Sequence, residues 1–170
     1  MSLIKIPKII AEVGMSHNGN ITLAHSYIDA ASKAGADAIK FQTHYADEES
    51  SLFDKFRTKN KYINYKTRFD YWKNTEFTSF QWQELKNHAD KKNIIFFSSP
   101  FSFKAIEVLS SIGVKIWKVA SGEVSNLPLI EKIAKLKQNV IVSTGMSNYK
   151  EIDQAINVIK KYHSKFAIAQ

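Results

Sequence analysis

Two lysines stand in matching surroundings: Lys40 in "AIKFQTH" and Lys118 in "IWKVASGE". Each sits in an apolar, β-rich run of strand length that then turns polar. Two ammonium groups in such runs are costly to bury without an anion between them. Ser99, Ser121, Ser143 and Thr144 add hydroxyl donors beyond strand-like runs, and together these groups suit a phosphate or carboxylate. Either lysine alone is equally well explained as the structural partner of a carboxylate. Glu12 in "IIAEVGMSHNGN" and Glu123 in "VASGE" are the strand-end carboxylates. Each could neutralise a lysine, or act as general acid or base where a wall partly dries it.

The glycines and histidines carry weaker signals. Gly122 and Gly145 follow strand ends, where a tight turn accounts for them and exposed backbone N–H groups can help hold an anion. His17 and Asn18 lie in the first polar turn and could meet a substrate. His44 follows the second strand without a defined role. His25, His88 and His163 fall on helical stretches and are expected at the surface or in packing. No histidine–carboxylate spacing marks a metal site.

Positioning these groups requires a regular scaffold. Strand candidates are Ile9–Gly14, Ala38–Thr43, Ile94–Ser98, Lys115–Ala120, Val140–Ser143 and Phe166–Gln170. Several are apolar without alternation, as in parallel strands covered on both faces. Between them run amphipathic stripes: Leu23, Tyr27, Ile28 and Ala31 before Gly35; Trp82, Leu85 and Ala89 after a Thr78–Gln81 capping box; and Ile106 with Leu109 before Gly113. Leu129, Ile130, Ile133 and Leu136 make a fourth stripe, and Ile152, Ala155, Ile156 and Ile159 a fifth opened by Asn148 and Glu151.

Uninterrupted alternation of strand and helix predicts an α/β fold with a parallel sheet. An open doubly wound sheet lacks support, because no G-x-G-x-x-G follows the first strand. Polar groups at the C-terminal ends of successive strands (Glu12, Lys40 with Gln42, Ser98 with Ser99, Lys118 with Ser121, Ser143 with Thr144) favour a (β/α)8 TIM barrel. Six strands are visible and a barrel typically needs about 250 residues. The expectation is therefore a barrel truncated after about six strands. Between Thr43 and Thr78 a long basic–aromatic connection, "FDKFRTKNKYINYKTRFDYWK", reads as a flap packed on the rim.

Composition sets outer bounds. The chain of 170 residues is 44% hydrophobic and 24% charged, as expected of one soluble globular domain. No apolar stretch reaches membrane-span length, and "MSLIKIPKII" has no signal-peptide pattern, so no membrane partner and a cytoplasmic location are expected. Cysteine is absent, which excludes disulfides and thiolate chemistry. The net charge of +8 points weakly to anionic partners.

The motifs "IIAEVGMSHNGN", "AGADAIKFQTH", "FFSSPFS", "KVASGEVSNLPLI" and "VIVSTGMS" together resemble the sialic acid synthase (N-acetylneuraminate synthase) family, over about Ile9 to Gln170. "RFDYWKNTEF" looks most like the bacterial branch that includes legionaminic acid synthases. The resemblance implies a transferase of nonulosonic acid biosynthesis that condenses phosphoenolpyruvate with N-acetylmannosamine or a related N-acetylated sugar. It assigns phosphoenolpyruvate to Lys40, Ser99, Lys118, Ser121 and Ser143, the sugar to Gln42, and the active-site carboxylate to Glu12. Ser99 stands where some members carry threonine, which keeps the hydroxyl. His17, Asn18, Glu123 and Thr144 are further site candidates.

The resemblance also implies a divalent metal, Mn2+ or Mg2+, a homodimer in full-length form and a C-terminal antifreeze-like domain. The metal ligands and that domain are not found in residues 1–170, which are expected to be the N-terminal portion of the barrel. Little or no synthase activity is expected of this chain alone. The other readings are a Schiff-base aldolase using Lys40 or Lys118, a non-catalytic anion-binding fragment, and a nucleic-acid contact through the basic–aromatic connection; no nucleic-acid partner is the expectation.

Overall fold

The computed structural model describes residues 8–56, 65–162 and 165–170. Six strands form one sheet: β1 (Ile10–Gly14), β2 (Ala38–Thr43), β3 (Ile95–Pro100), β4 (Ile116–Val119), β5 (Asn139–Ser143) and β6 (Phe166–Ala169). All neighbours are parallel, and the spatial order follows the chain order from β1 to β6. A doubly wound sheet reverses its strand order at a switch point. This sheet never reverses, so its topology is an arc of a (β/α) barrel, with β1 and β6 as its ends among the described residues.

The crossovers are α1 (Ile21–Lys33), α4 (Ser79–Lys91), α5 (Phe103–Ser111), α6 (Leu127–Ala134) and α7 (Tyr149–Tyr162). Two short helices, α2 (Ala46–Glu49) and α3 (Arg68–Thr75), lie in the connection after β2. That connection was expected to be a flap without regular structure; Thr67 caps α3 by accepting from Asp70 N at 3.1 Å. Its Arg57–Asn64 stretch and His163 lie outside the described residues.

Most of the helix signals hold, although α6 ends before Leu136 of its expected stripe. Thr78 and Gln81 make the expected reciprocal capping box at α4, and Asn148 and Glu151 bond each other's backbone N–H at the start of α7, both at 3.0 Å. In α1 the buried stripe is Ala24, Ile28 and Ala31, whereas Leu23 is exposed. Asn20 caps α1 through Leu23 N, and this cap fixes the helix phase one residue later than the apolar pattern suggested.

Strand alternation divides the sheet into two faces. Ile39, Phe41, Trp117, Val119, Val140 and Val142 point outward and are buried under the helices together with Ile28, Leu85, Leu109, Ile130 and Ile159. Thr43 and Ser98 share that outer face and satisfy each other, Oγ1 to Oγ at 2.8 Å. The cover ends at β6, where Ile168 is 54% exposed although its register partner Val142 is fully buried. Ile130→Ala is therefore expected to cost about 2–5 kcal/mol and Ile168→Ala less than about 0.5 kcal/mol in urea unfolding of this chain.

Candidate active site

The register sets the site. Glu12 pairs with Lys40 between β1 and β2, Gln42 with Ser99 between β2 and β3, and Lys118 with Ile141 between β4 and β5. Because side chains alternate, Glu12, Lys40, Gln42, Ser99, Lys118 and Ser143 all lie on the inner face, opposite the helix-packed residues. These groups come from five different strands.

Lys40 is only 5% exposed, and its Nζ donates to Glu12 Oε1 at 2.8 Å. Burial pulls the Lys40 pKa down and the Glu12 carboxylate opposes that pull. Lys118 Nζ donates to Ser143 Oγ and to the Val119 carbonyl. Burial, then repulsion from Lys40, lowers its pKa to about 8, against a smaller opposing effect of Glu12. Neither contact of Lys118 is with a carboxylate, so its charge has no ion-pair partner among the described residues. Ser99 is buried, and its Oγ has no hydrogen-bond partner among the described residues. A lysine without a counter-ion and a hydroxyl without a partner on one wall together suit an incoming anion.

A cleft of about 710 Å³ opens beside this wall, lined by Gln42, His44, Arg68, Trp72, Ser121 and Glu123 among others. Ser121 and Glu123 sit on a single 3-10 turn that follows β4. Glu123 accepts from Asn126 Nδ2 at 2.8 Å, and burial raises its pKa in spite of that bond. Gln42 belongs to both regions, two residues beyond Lys40 on the inner face and on the cleft wall.

A family model described as the NeuB family matches residues 27–170. The chain belongs to the NeuB family. It is 40% identical over 160 residues to the N,N'-diacetyllegionaminic acid synthase of Campylobacter jejuni, across 92% of this chain and 48% of that protein. It is 32% identical to the N-acetylneuraminate-9-phosphate synthase of Homo sapiens, across 95% of this chain and 45% of that protein. The crystal structure of the N-acetylneuraminic acid synthetase of Leptospira borgpetersenii, in complex with citrate, superposes with a TM-score of 0.81 at 35% identity, covering 99% of this chain and 56% of that one. A truncated 3-deoxy-D-arabino-heptulosonate 7-phosphate synthase from Thermotoga maritima, at 11% identity and a TM-score of 0.66, shares the fold. This NeuB-family chain spans about half the length of the curated relatives it matches.

Some residues expected at the site have other places. His17 is fully buried, stacked on Phe77 with ring centroids 4.4 Å apart and close to Phe41 and Trp82. It has no exposed surface with which to meet a substrate; its Nδ1 accepts from Gly19 N at 3.1 Å and thereby folds the loop. Asn18 is an exposed turn residue with φ +47°. Thr144 is buried and donates to the Ala169 carbonyl and Gln170 Oε1, tying β5 to the end of β6. Gly122 and Gly145 do not have positive φ, so a strained turn is not what places them.

The residues that the sequence did not single out are those around His44. Glu49, five residues on, binds its ring, and Trp72 and Phe101 cover its two faces. No fixed spacing announces such a group, because it is assembled from β2, α2, α3 and the loop after β3. Trp72 and Phe56 of the basic–aromatic connection line the cleft, as a rim-packed flap requires. Among the described residues no helix is long and apolar enough to cross a membrane.

Two measurements probe the loop beneath Glu12. Burial, and then the neighbouring His44, lower the His17 pKa to about 4. Stability from neutral His17 is thus complete above its ordinary value near 6.5 and lost as pH falls toward about 4, by roughly 3 kcal/mol. Urea midpoints of wild type and His17→Gln should converge over that interval. A Cβ on Gly19 (φ +75°) would meet the Asn74 carbonyl oxygen at 2.4 Å, whereas one on Gly35 (φ +79°) would meet nothing within 4 Å. Gly35→Ala should cost about 1–2 kcal/mol for backbone strain alone, and Gly19→Ala clearly more in the same assay.

Proposed function

We propose that this chain carries the phosphoenolpyruvate-binding part of a nonulosonic acid synthase site. The observation that carries the reading is the inner wall, where Lys118 without a counter-ion, Lys40 paired to Glu12, Ser143 and the unpartnered Ser99 hydroxyl converge. Family membership supports it, since the relatives named above are synthases of N,N'-diacetyllegionaminic acid, N-acetylneuraminate 9-phosphate and N-acetylneuraminic acid.

In this reading Lys40 and Lys118 hold the carboxylate and phosphate of phosphoenolpyruvate, with Ser99, Ser121 and Ser143 as hydroxyl donors. Carbon C3 of the enol attacks the aldehyde carbon of an open-chain N-acetylated sugar, whose hydroxyls Gln42 helps to orient. The aldehyde oxygen takes up a proton, and C2 is left as an oxocarbenium. Water adds at C2 and gives up a proton, and the resulting tetrahedral centre expels phosphate. Glu12, half exposed and bonded to Lys40, stands where it can pass those protons. Among the described residues no group of three or more His, Asp or Glu side chains could hold a metal ion, and these steps run through the chain's own groups. A homodimer and cytoplasmic location belong to the same proposal for the full-length protein.

A lysine with its pKa near 8 also favours a second reading, a Schiff-base aldolase with Lys118 as the amine nucleophile. Borohydride treatment with pyruvate should leave no adduct under the first reading, and a stable Lys118 adduct supports the second.

Calorimetry with phosphoenolpyruvate tests the first directly. Lys118→Met should weaken binding roughly 10- to 100-fold, the equivalent of losing one charged hydrogen bond. Since the ammonium form prevails below about pH 8, affinity should fall as pH rises through that value. A bound anion favours the charged lysine, so complex formation near that pH should take up protons, read as a dependence of the heat on buffer ionisation enthalpy. Unchanged affinity in Lys118→Met would overturn the reading.

A further inference from the structure

His44 is held more tightly than any role assigned above requires. Its ring is 4% exposed and lies between Trp72, 3.8 Å away and inclined by 6°, and Phe101, 4.0 Å away and inclined by 20°. Glu49 Oε2 sits 2.6 Å from its Nδ1, and Glu49 is itself anchored by Tyr45 N at 2.8 Å from Oε1. The other ring nitrogen, Nε2, faces Gln42 Oε1 at 3.4 Å. The Gln42 amide lies against Gly14: a Cβ built there would lie 3.9 Å from Gln42 Cδ, 4.0 Å from Gln42 Nε2 and 3.2 Å from Glu12 Oε1. Gln42 thus bridges a clamped imidazole and the mouth beside Glu12.

We propose that His44, locked by Glu49, is a positioning residue that decides whether Gln42 offers a hydrogen-bond donor or an acceptor to the mouth of the site. The reasoning is a count of protons. A carboxylate 2.6 Å from Nδ1 requires one proton between them. If Nε2 also carries a proton, it donates to Gln42 Oε1, the atom it faces in this structure, and the amide N–H groups are left for the mouth beside Gly14. If Nε2 is bare, it must accept from the amide, so Gln42 turns over and presents its carbonyl oxygen instead.

The aromatic faces on either side keep the ring from rotating. Glu49 and Glu48 of α2, Arg68 of α3 and Glu123 of the turn after β4 share the cleft with His44, and His17 lies within range of its charge. The consequence for chemistry rests on the reading of Gln42 as the sugar contact. With the pair protonated, the site would favour a substrate oxygen that accepts at this point; with the proton gone, it would favour a hydroxyl or amide that donates.

Nuclear magnetic resonance of the ¹⁵N-labelled chain tests this without turnover. Long-range spectra report both His44 ring nitrogens, and the Gln42 side-chain amide is identified by its loss in Gln42→Glu. Between about pH 5 and 9, the two Gln42 amide protons should shift with the same midpoint as His44 Nε2. Glu49→Gln should move both midpoints together. His44→Phe, which keeps the ring stack, should abolish the pH dependence of the Gln42 amide. Amide shifts that stay fixed through the His44 transition, or that titrate unchanged in Glu49→Gln, would overturn the proposal; the wild-type titration decides even if a variant fails to fold. Adding N-acetylmannosamine with phosphoenolpyruvate separates the two readings. A coupled but sugar-insensitive Gln42 refutes the sugar assignment alone, whereas an uncoupled one refutes the positioning role.

Discussion

An ammonium group as deeply buried as that of Lys40 has to be neutralised, and that task falls to Glu12 on the neighbouring strand. The pair is in direct register between β1 and β2. Its geometry therefore depends on parallel pairing being correct to the residue. A slip of one position would turn Lys40 into the apolar layer beneath the helices and bring Phe41 to the wall. The cost of an unpaired buried ammonium makes such a slip prohibitive, so the ion pair helps to specify the register as well as the chemistry.

Lys118 plays a different part. It is bonded to a hydroxyl and a carbonyl, and it feels the charge of Lys40 across the wall. One lysine is thus satisfied and the other is not. The asymmetry gives the wall a surplus of positive potential at one point, beside the buried hydroxyl of Ser99. A wall with both lysines neutralised would have little to offer an anion.

Most of the scaffold was legible in the sequence because its signals are local. Apolar runs of strand length, Thr78 with Gln81, and Asn148 with Glu151 report on neighbours within a few residues. The order of polar strand ends was enough to choose a barrel over a doubly wound sheet, and the unreversed strand order agrees. Lys40, Gln42, Ser99, Lys118 and Ser143 were legible for the same reason, since each stands at a recognisable point along a strand. What escaped was non-local. Nothing within "HNGN" says that His17 turns under the loop into an aromatic cluster, because Phe77 and Trp82 arrive from the far side of the connection after β2. The clamp on His44 was hidden likewise, with Trp72 and Phe101 separated from it by 28 and 57 positions in the chain.

Gly19 has one more implication. The first loop and the end of α3 meet backbone to backbone there, with no room for even a methyl group between them. α3 also carries Trp72, one wall of the His44 clamp. The loop that follows Glu12 and the helix that lines the cleft are therefore packed there without slack. Any displacement that widens the entrance by moving one at that point must carry the other with it.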